Sequence, residues 1–487
     1  MRHSASLPVD AQKVVVNQRC ANHNDRISSC HDMTRTAGVP TGRHPLPAAG
    51  EFMTISIDHQ RLLQAARNDR ELTYKLRAFT GAVRISVGEQ SLDLSFEDGG
   101  ATEIRPASLS IDPLVAWRAP DEFWANAFAA TPMHGYESLT TAPMFGLSMS
   151  GDFGSVIAPW QGGLARLYQV LRETVAGPIE RKPFSDPYRD TDNPVGRYVY
   201  VTAEGVESRV YFETAGHGPT SLMLQATAGA DSRQYRHMLA DPRMQDRFTM
   251  YAYDLPFHGR SLPPQGVRWW EQAYKPTQAS LIEWVVAIKD AIGLDQPFFL
   301  GCSVGGQLAL DLAAERPDDF GAFISVNGWY GAPEFPPGFS NDLFRTPPIS
   351  TDLAPQMCFG ATAPMAPEVY AHETYWVYRS AFPGIYAGDN DYFGWDHDLA
   401  KNGHKIDAVA KPVYVVTGEW DPASDDEESG GPAVARKIPG AKFVKLMNLG
   451  HFAPCDDPIG FQDGIMPVLD EILKRVSPAA LNAEVAS

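Results

Sequence analysis

The chain has 487 residues, 44 % hydrophobic and 21 % charged. That is ordinary globular usage, which argues against a wholly disordered, collagen-like or coiled-coil chain. Its 59 acidic residues outnumber 41 basic ones, a net charge of −18. An anionic surface repels phosphate backbones and anionic headgroups, so nucleic acid and charged lipid surfaces are poor partners. No apolar run reaches the roughly 18 residues that a membrane span needs. The five cysteines (Cys20, Cys30, Cys302, Cys358 and Cys455) are scattered and show no zinc spacing. They suit a reducing compartment, hence the cytoplasm, and no bound metal.

Residues 1–52 stand apart, with 6 basic and 4 acidic residues and four histidines. They lack sustained periodicity and a signal-peptide core, and read as a disordered extension, with Met53 opening the regular part like an ordinary start. Leu62, Leu63, Ala66, Leu72, Leu76 and Phe79 then predict one or two helices over 58–80. Val83, Ile85 and Val87, and next Leu92, Leu94 and Phe96, alternate with polar residues before Asp98-Gly99-Gly100. That is a two-stranded meander. A short strand around Leu147–Asp152 and a helix near 160–174 complete an α+β unit over 53–175. Pro178, Pro183, Pro187 and Pro194 make 176–197 a linker.

The second unit, 198–487, opens with a hairpin of Tyr198–Thr202 and Ser208–Thr214. Strand candidates follow at Ser221–Ala226, Phe248–Asp254, Pro297–Cys302, Phe320–Val326, Pro412–Thr417 and Lys442–Met447. Helices such as Ser280–Ile292 and Gly306–Glu315 lie between them. The alternation predicts an α/β fold with a mostly parallel sheet covered on both faces. Residues 330–411 break the rhythm, an excursion too long for an ordinary loop.

Gly301-Cys302-Ser303-Val304-Gly305 falls between a strand and a helix. Glycines on both sides permit a tight strand-to-helix turn that lifts the Ser303 hydroxyl clear of the sheet edge. A serine needs an adjacent base to be nucleophilic. His451 follows the last strand, and Asp421 follows the strand before it. In a parallel sheet all three residues fall at the carboxyl edge, where such folds place their sites. His451 is then the base and Asp421 its orienting acid. Asp425 and Asp426 are rival acids, and His397 and His404 rival bases. Cys302 reads as a packed small residue beside the nucleophile.

In these features the chain resembles the α/β-hydrolase superfamily over about residues 198–478. Asp254-Leu255-Pro256-Phe257-His258-Gly259-Arg260-Ser261 looks like the stretch after that family's fourth strand. The resemblance implies an eight-stranded, mostly parallel sheet with a helical cap (330–411), no cofactor, and an oxyanion hole. One donor of that hole is the Val304 N–H. The other comes from Gln225–Ala230, where Ala226-Thr227 replaces the family's usual His-Gly and leaves Thr227 or Ala228 as the donor. Relatives that dehalogenate or open epoxides carry Asp at the elbow. Ser303 instead points to acyl transfer to water on an ester, lactone, thioester or activated C–C bond.

The aromatic-rich 330–411 segment suits a pocket for a small apolar or aromatic substrate. Phe359, Tyr375 and Trp376, with Trp420 and Cys302 beside the triad candidates, are the expected lining. Residues 55–175 more weakly resemble the sterol-carrier (SCP2-like) fold, through the Val83–Phe96 meander and Gly146–Asp152. That resemblance implies a cavity for a lipid chain; a docking or homodimerisation module is the alternative. Three functions compete: a serine esterase or lactonase, a cofactor-independent C–C hydrolase of the β-diketone type, and a lipid carrier on a non-catalytic hydrolase scaffold.

Overall fold

Residues 55–191, 193–331, 341–345 and 347–476 are described by the computed structural model. The expected extension over 1–52 lies outside them. The helix His59–Asn68 starts on Asp58, whose carboxylate accepts the Arg61 N–H and satisfies an otherwise orphaned first-turn donor. Its Leu62 and Ala66, one turn apart, face inward. Strands β1 (Gly81–Val87), β2 (Gln90–Glu97), β3 (Gly100–Pro106), β4 (Val115–Arg118) and β5 (Ser148–Ser150) form a five-stranded sheet. Their order is β3-β2-β1-β4-β5, with β4 parallel to β1. The expected two-stranded meander thus has a third member. β3 is an edge strand with only Ala101 fully buried, so it lacks the apolar alternation that announces a strand. The helix Gln161–Ala176 covers this sheet and closes a core containing Phe79, Trp117, Trp124 and Tyr168. The Arg172 guanidinium is buried with them and donates to the carbonyls of Ala129, Ala130 and Gly177.

The stretch after this helix runs without helix or strand among the described residues up to Val195. It is nevertheless pinned down. Lys182 N–H donates to Met365 O at 2.9 Å, and the Tyr188 hydroxyl donates to the Asp241 carboxylate at 3.0 Å.

The second sheet has eight strands: β6 (Val195–Ala203), β7 (Val206–Ala215), β8 (Thr220–Gln225), β9 (Phe248–Tyr253), β10 (Phe298–Cys302), β11 (Ala322–Val326), β12 (Val413–Gly418) and β13 (Lys442–Leu446). The order is β13-β12-β11-β10-β8-β9-β7-β6. The first hairpin is antiparallel, β7 meets β9 antiparallel, and every later pairing is parallel. The chain steps from β8 outward to β9, then returns to the other side of β8 as β10. Connections diverge there, and a crevice opens beyond the carboxyl ends of the strands. β10, β11 and β12 are buried along their whole length, as strands covered on both faces must be.

Between β11 and β12 the excursion is helical, with helices Pro347–Gly360, Glu368–Arg379 and Pro383–Asp391. It packs under the N-terminal unit. Ala158 joins Phe344, Leu353, Ala354 and Ala387 in one apolar cluster, and Lys75 Nζ reaches Gln356 Oε1 at 3.3 Å. Among the described residues no helix is long and apolar enough to cross a membrane.

The N-terminal core makes a direct prediction. Trp117 is fully buried, so Trp117→Ala removes packing worth roughly 3–5 kcal/mol. Urea denaturation followed by tryptophan fluorescence is expected to show an earlier midpoint. A midpoint equal to the parent's contradicts this core.

Candidate active site

β10 ends at Cys302, and the helix Val304–Glu315 begins one residue beyond Ser303. Ser303 therefore makes the whole turn, at φ 57° and ψ −113°. Positive φ is strained for a residue with a side chain and persists only where the surroundings impose it. Here they do. A Cβ at Gly301 would fall on the carbonyl oxygen of Gly305, and one at Gly305 would lie 2.5 Å from Gln225 O. The Ser303 N–H donates to Val326 O of the neighbouring strand at 2.8 Å. The hydroxyl is thus presented from a rigid turn at the sheet edge.

His451 lies in the loop after β13, and its Nε2 is 2.8 Å from Ser303 Oγ. Its Nδ1 is 2.6 Å from Asp421 Oδ2, which follows β12. Burial works against a charged imidazole. The adjacent Asp421 carboxylate outweighs it and holds His451 above the usual histidine value of 6.5. The rivals lie elsewhere. His397 is buried against Asp311 at 2.9 Å, Asp425 pairs with Lys445 at 2.6 Å, and Asp426 accepts N–H groups of its own loop.

Asn327, directly after β11, was not singled out in the sequence. Its Nδ2 donates to Gly450 O at 3.0 Å and His451 O at 2.8 Å, and its Oδ1 accepts the Gly418 N–H at 2.8 Å. One buried amide therefore ties the histidine loop to the strand that carries the acid. Its sequence signal is slight: an asparagine directly after an apolar strand, a type that tolerates the φ of 50° it adopts here. Two further bonds hold the histidine loop to the helical insertion. His451 N–H donates to Ala361 O at 3.0 Å. The Asp456 carboxyl, pushed up to about 6 by burial, accepts the N–H groups of Gly450 and Ala363.

The loop after β8 resolves which N–H groups are free. Thr227 N–H donates to Gln234 Oε1 at 2.8 Å, so it is committed. Among the described residues no acceptor meets the N–H of Ala228 or of Val304. The Thr227 hydroxyl instead bonds the Tyr378 hydroxyl.

Of the expected pocket residues, Cys302 is buried, its Sγ 3.4 Å from His451 O. Burial pushes its thiol well above the usual value, so it stays uncharged. Trp420 is buried between Ala363 and Ala366, with the His134 ring of the N-terminal unit 4.3 Å away. Trp376 is 64 % exposed, and the hydroxyl of half-buried Tyr375 bonds Asp352 at 2.5 Å. Phe359 and Tyr375 both lie under Lys75. These three thus belong to the outer side of the insertion. For Tyr375 and Trp376 helical phase is the reason. The inward face of Glu368–Arg379 carries Tyr370, Ala371, Thr374, Val377 and Tyr378, which leaves positions 375 and 376 on the other side. Tyr378 packs on Phe452 and Tyr386, and Phe452 adjoins the His451 ring.

Residues 222–354, from β8 into the helical insertion, match the alpha/beta hydrolase fold family. The chain is 28 % identical over 140 residues to the pimeloyl-[acyl-carrier protein] methyl ester esterase of Proteus mirabilis, covering 28 % of this chain and 48 % of that protein. It is 24 % identical over 153 residues to the 2-hydroxy-6-oxononadienedioate/2-hydroxy-6-oxononatrienedioate hydrolase of Burkholderia vietnamiensis, covering 31 % and 50 %. The crystal structure of the enol-lactonase from Burkholderia xenovorans overlays with a TM-score of 0.46 at 19 % identity, covering 56 % of this chain and 99 % of that one. The chain spans half or less of the length of these two curated relatives.

Asn327→Ala removes three buried bonds and strands their partners. It is expected to destabilise the protein by about 2–4 kcal/mol, read as a lower melting temperature. An unchanged melting temperature overturns its role as a tie.

Proposed function

We propose that the chain is a serine hydrolase that cleaves an ester or lactone of a small apolar or aromatic substrate through an acyl-enzyme. The observation that carries this reading is the continuous relay from Ser303 Oγ through His451 to Asp421, with the N–H groups of Val304 and Ala228 unpaired among the described residues. Ser303 Oγ attacks the carbonyl carbon as His451 Nε2 takes its proton. Asp421 holds the imidazole with Nε2 free to accept and stabilises the imidazolium that forms. The N–H groups of Val304 and Ala228 receive the oxyanion; such donors act most strongly where charge develops. His451 then protonates the leaving group, and water activated by the same imidazole releases the acid.

Tyr378 and Tyr386 of the insertion cluster with Phe452, whose ring adjoins that of His451, which favours an apolar acyl or alcohol group. The similarity to a C–C hydrolase supports a second reading with the same residues. Activity on a β-diketone or vinylogous acid panel, with none on simple esters, decides for it. For residues 53–175 we infer a clamp on the insertion, joined to the 198–487 unit by the 176–197 segment. Its interior is filled by Trp117, Trp124 and Tyr168, which favours docking over a lipid cavity.

Ser303→Ala is expected to lower p-nitrophenyl ester hydrolysis by roughly 10³-fold or more. Retained hydrolysis sinks the assignment. The working base is neutral His451, so the rate falls as pH drops through its raised pKa. The acid limb of kcat/KM should therefore inflect above 6.5. Asp421→Asn removes the stabilising charge, moves that inflection down, and costs about 10³–10⁴ in kcat. An inflection unmoved by this change rules Asp421 out as the partner.

A further inference from the structure

The loop after β8 has three successive N–H groups with different fates. Thr227 N–H is held by Gln234 of the short helical turn Ser232–Tyr235. Gly229 N–H is held by Asp389 Oδ2 of the helical insertion at 2.7 Å. Ala228 N–H, between them, is unpaired among the described residues. A peptide flanked by two tethered neighbours has little freedom to turn. The direction of the Ala228 N–H is thus set from both sides, one of which lies in the insertion.

Asp389 is itself held. His258 Nε2 is 2.8 Å from the same Oδ2, and the Tyr274 hydroxyl donates to Oδ1 at 3.1 Å. His258 Nδ1 meets Pro256 O at 3.0 Å. Both ring nitrogens face acceptors, so the ring is held as an imidazolium against the carboxylate. Burial opposes that charge, and Asp389 more than offsets it. The backbone around His258 is bent to this end, with φ 76° at Phe257 and 48° at Gly259. A bulky residue at positive φ marks stored strain, which persists where the surroundings over-determine it. Asp389 and His258 are each 2 % exposed or less. A buried ion pair joining a loop to a helix distant in the chain is a weak contributor to stability but a good device for fixing one arrangement.

We propose that Asp389, held by His258, is a positioning residue for the oxyanion N–H of Ala228, so that the hole is complete only when the insertion is seated. This rests on the serine-hydrolase reading above. Asp389 touches no reacting atom; it acts through Gly229. An oxyanion donor works in the transition state and adds little to ground-state binding.

The test uses the full-length protein with a p-nitrophenyl ester and a trifluoromethyl ketone. Ser303 Oγ adds to the ketone's carbonyl carbon as the hydroxyl proton passes to His451 Nε2, and the carbonyl π electrons move onto oxygen to leave a tetrahedral oxyanion. Asp389→Ala is expected to lower kcat by about 10- to 100-fold with KM within about twofold. Ketone affinity should fall by about the same factor as kcat/KM. Asp389→Asn keeps an acceptor oxygen for Gly229 and should recover much of the loss, and it serves also where the alanine variant does not fold. Overturning results are a folded Asp389→Ala with parental kcat, or an Asp389→Asn no better than alanine. A KM rise with kcat unchanged also counts against the proposal. Ser303→Ala is the control. If it retains hydrolysis, the serine-hydrolase reading fails and this inference with it. If it is inactive while Asp389→Ala keeps parental kcat, only the positioning role fails.

Discussion

The strained turn at Ser303 is the constraint on which the rest of the candidate site depends. A non-glycine residue at φ 57° costs of order 1–3 kcal/mol, and nothing local offsets that. The offset comes from its surroundings: a fully buried strand before it, a helix after it, two side-chain-free neighbours and a hydrogen bond to β11. A turn locked this way cannot relax to hide the hydroxyl. It also fixes where the Val304 N–H points, because that group opens the helix.

The other two groups of the relay come from loops, which are ordinarily the mobile parts of a fold. Here each is fastened by backbone bonds. Trp420 N–H donates to Leu449 O at 2.8 Å, so the acid and histidine loops pair directly. Asn327 joins them from below, and the insertion holds the histidine loop from above through Ala361 and Ala363. Cys302 contributes a further contact to His451 O. The residues around the relay are thus mostly anchors, and few of them are chemically reactive.

The insertion faces two ways. Its inner side carries Tyr378 and Tyr386 over the β8 loop, and Asp389 into that loop. Its outer side carries Phe359 and Tyr375 to Lys75 and Gln356 to the helix Gln161–Ala176, where a Cβ at Gly162 would crowd the Gln356 side chain. Contacts that seat the N-terminal unit therefore bear on the same insertion that meets the β8 loop. His134 against Trp420, one residue from Asp421, gives that unit a second point of approach.

Period and punctuation made the elements legible in the amino-acid order. Buried parallel strands read as apolar runs, amphipathic helices as stripes, and the elbow as glycines around a serine. Chain order alone put Ser303, Asp421 and His451 at one sheet edge, because every parallel strand ends there. The edge strand β3 escaped notice, since a strand with one buried residue has no alternation to read. Three things needed the tertiary structure. Which of Thr227 and Ala228 keeps a free N–H depends on Gln234, seven residues away. Which aromatics of the insertion turn inward depends on the rotation of one helix, which buries Tyr378 and leaves Trp376 outside. The ties through Asn327 and Asp389 join residues far apart in the chain. Local sequence specifies what an element is, while the partner of a buried polar group is decided only when distant segments exclude water together.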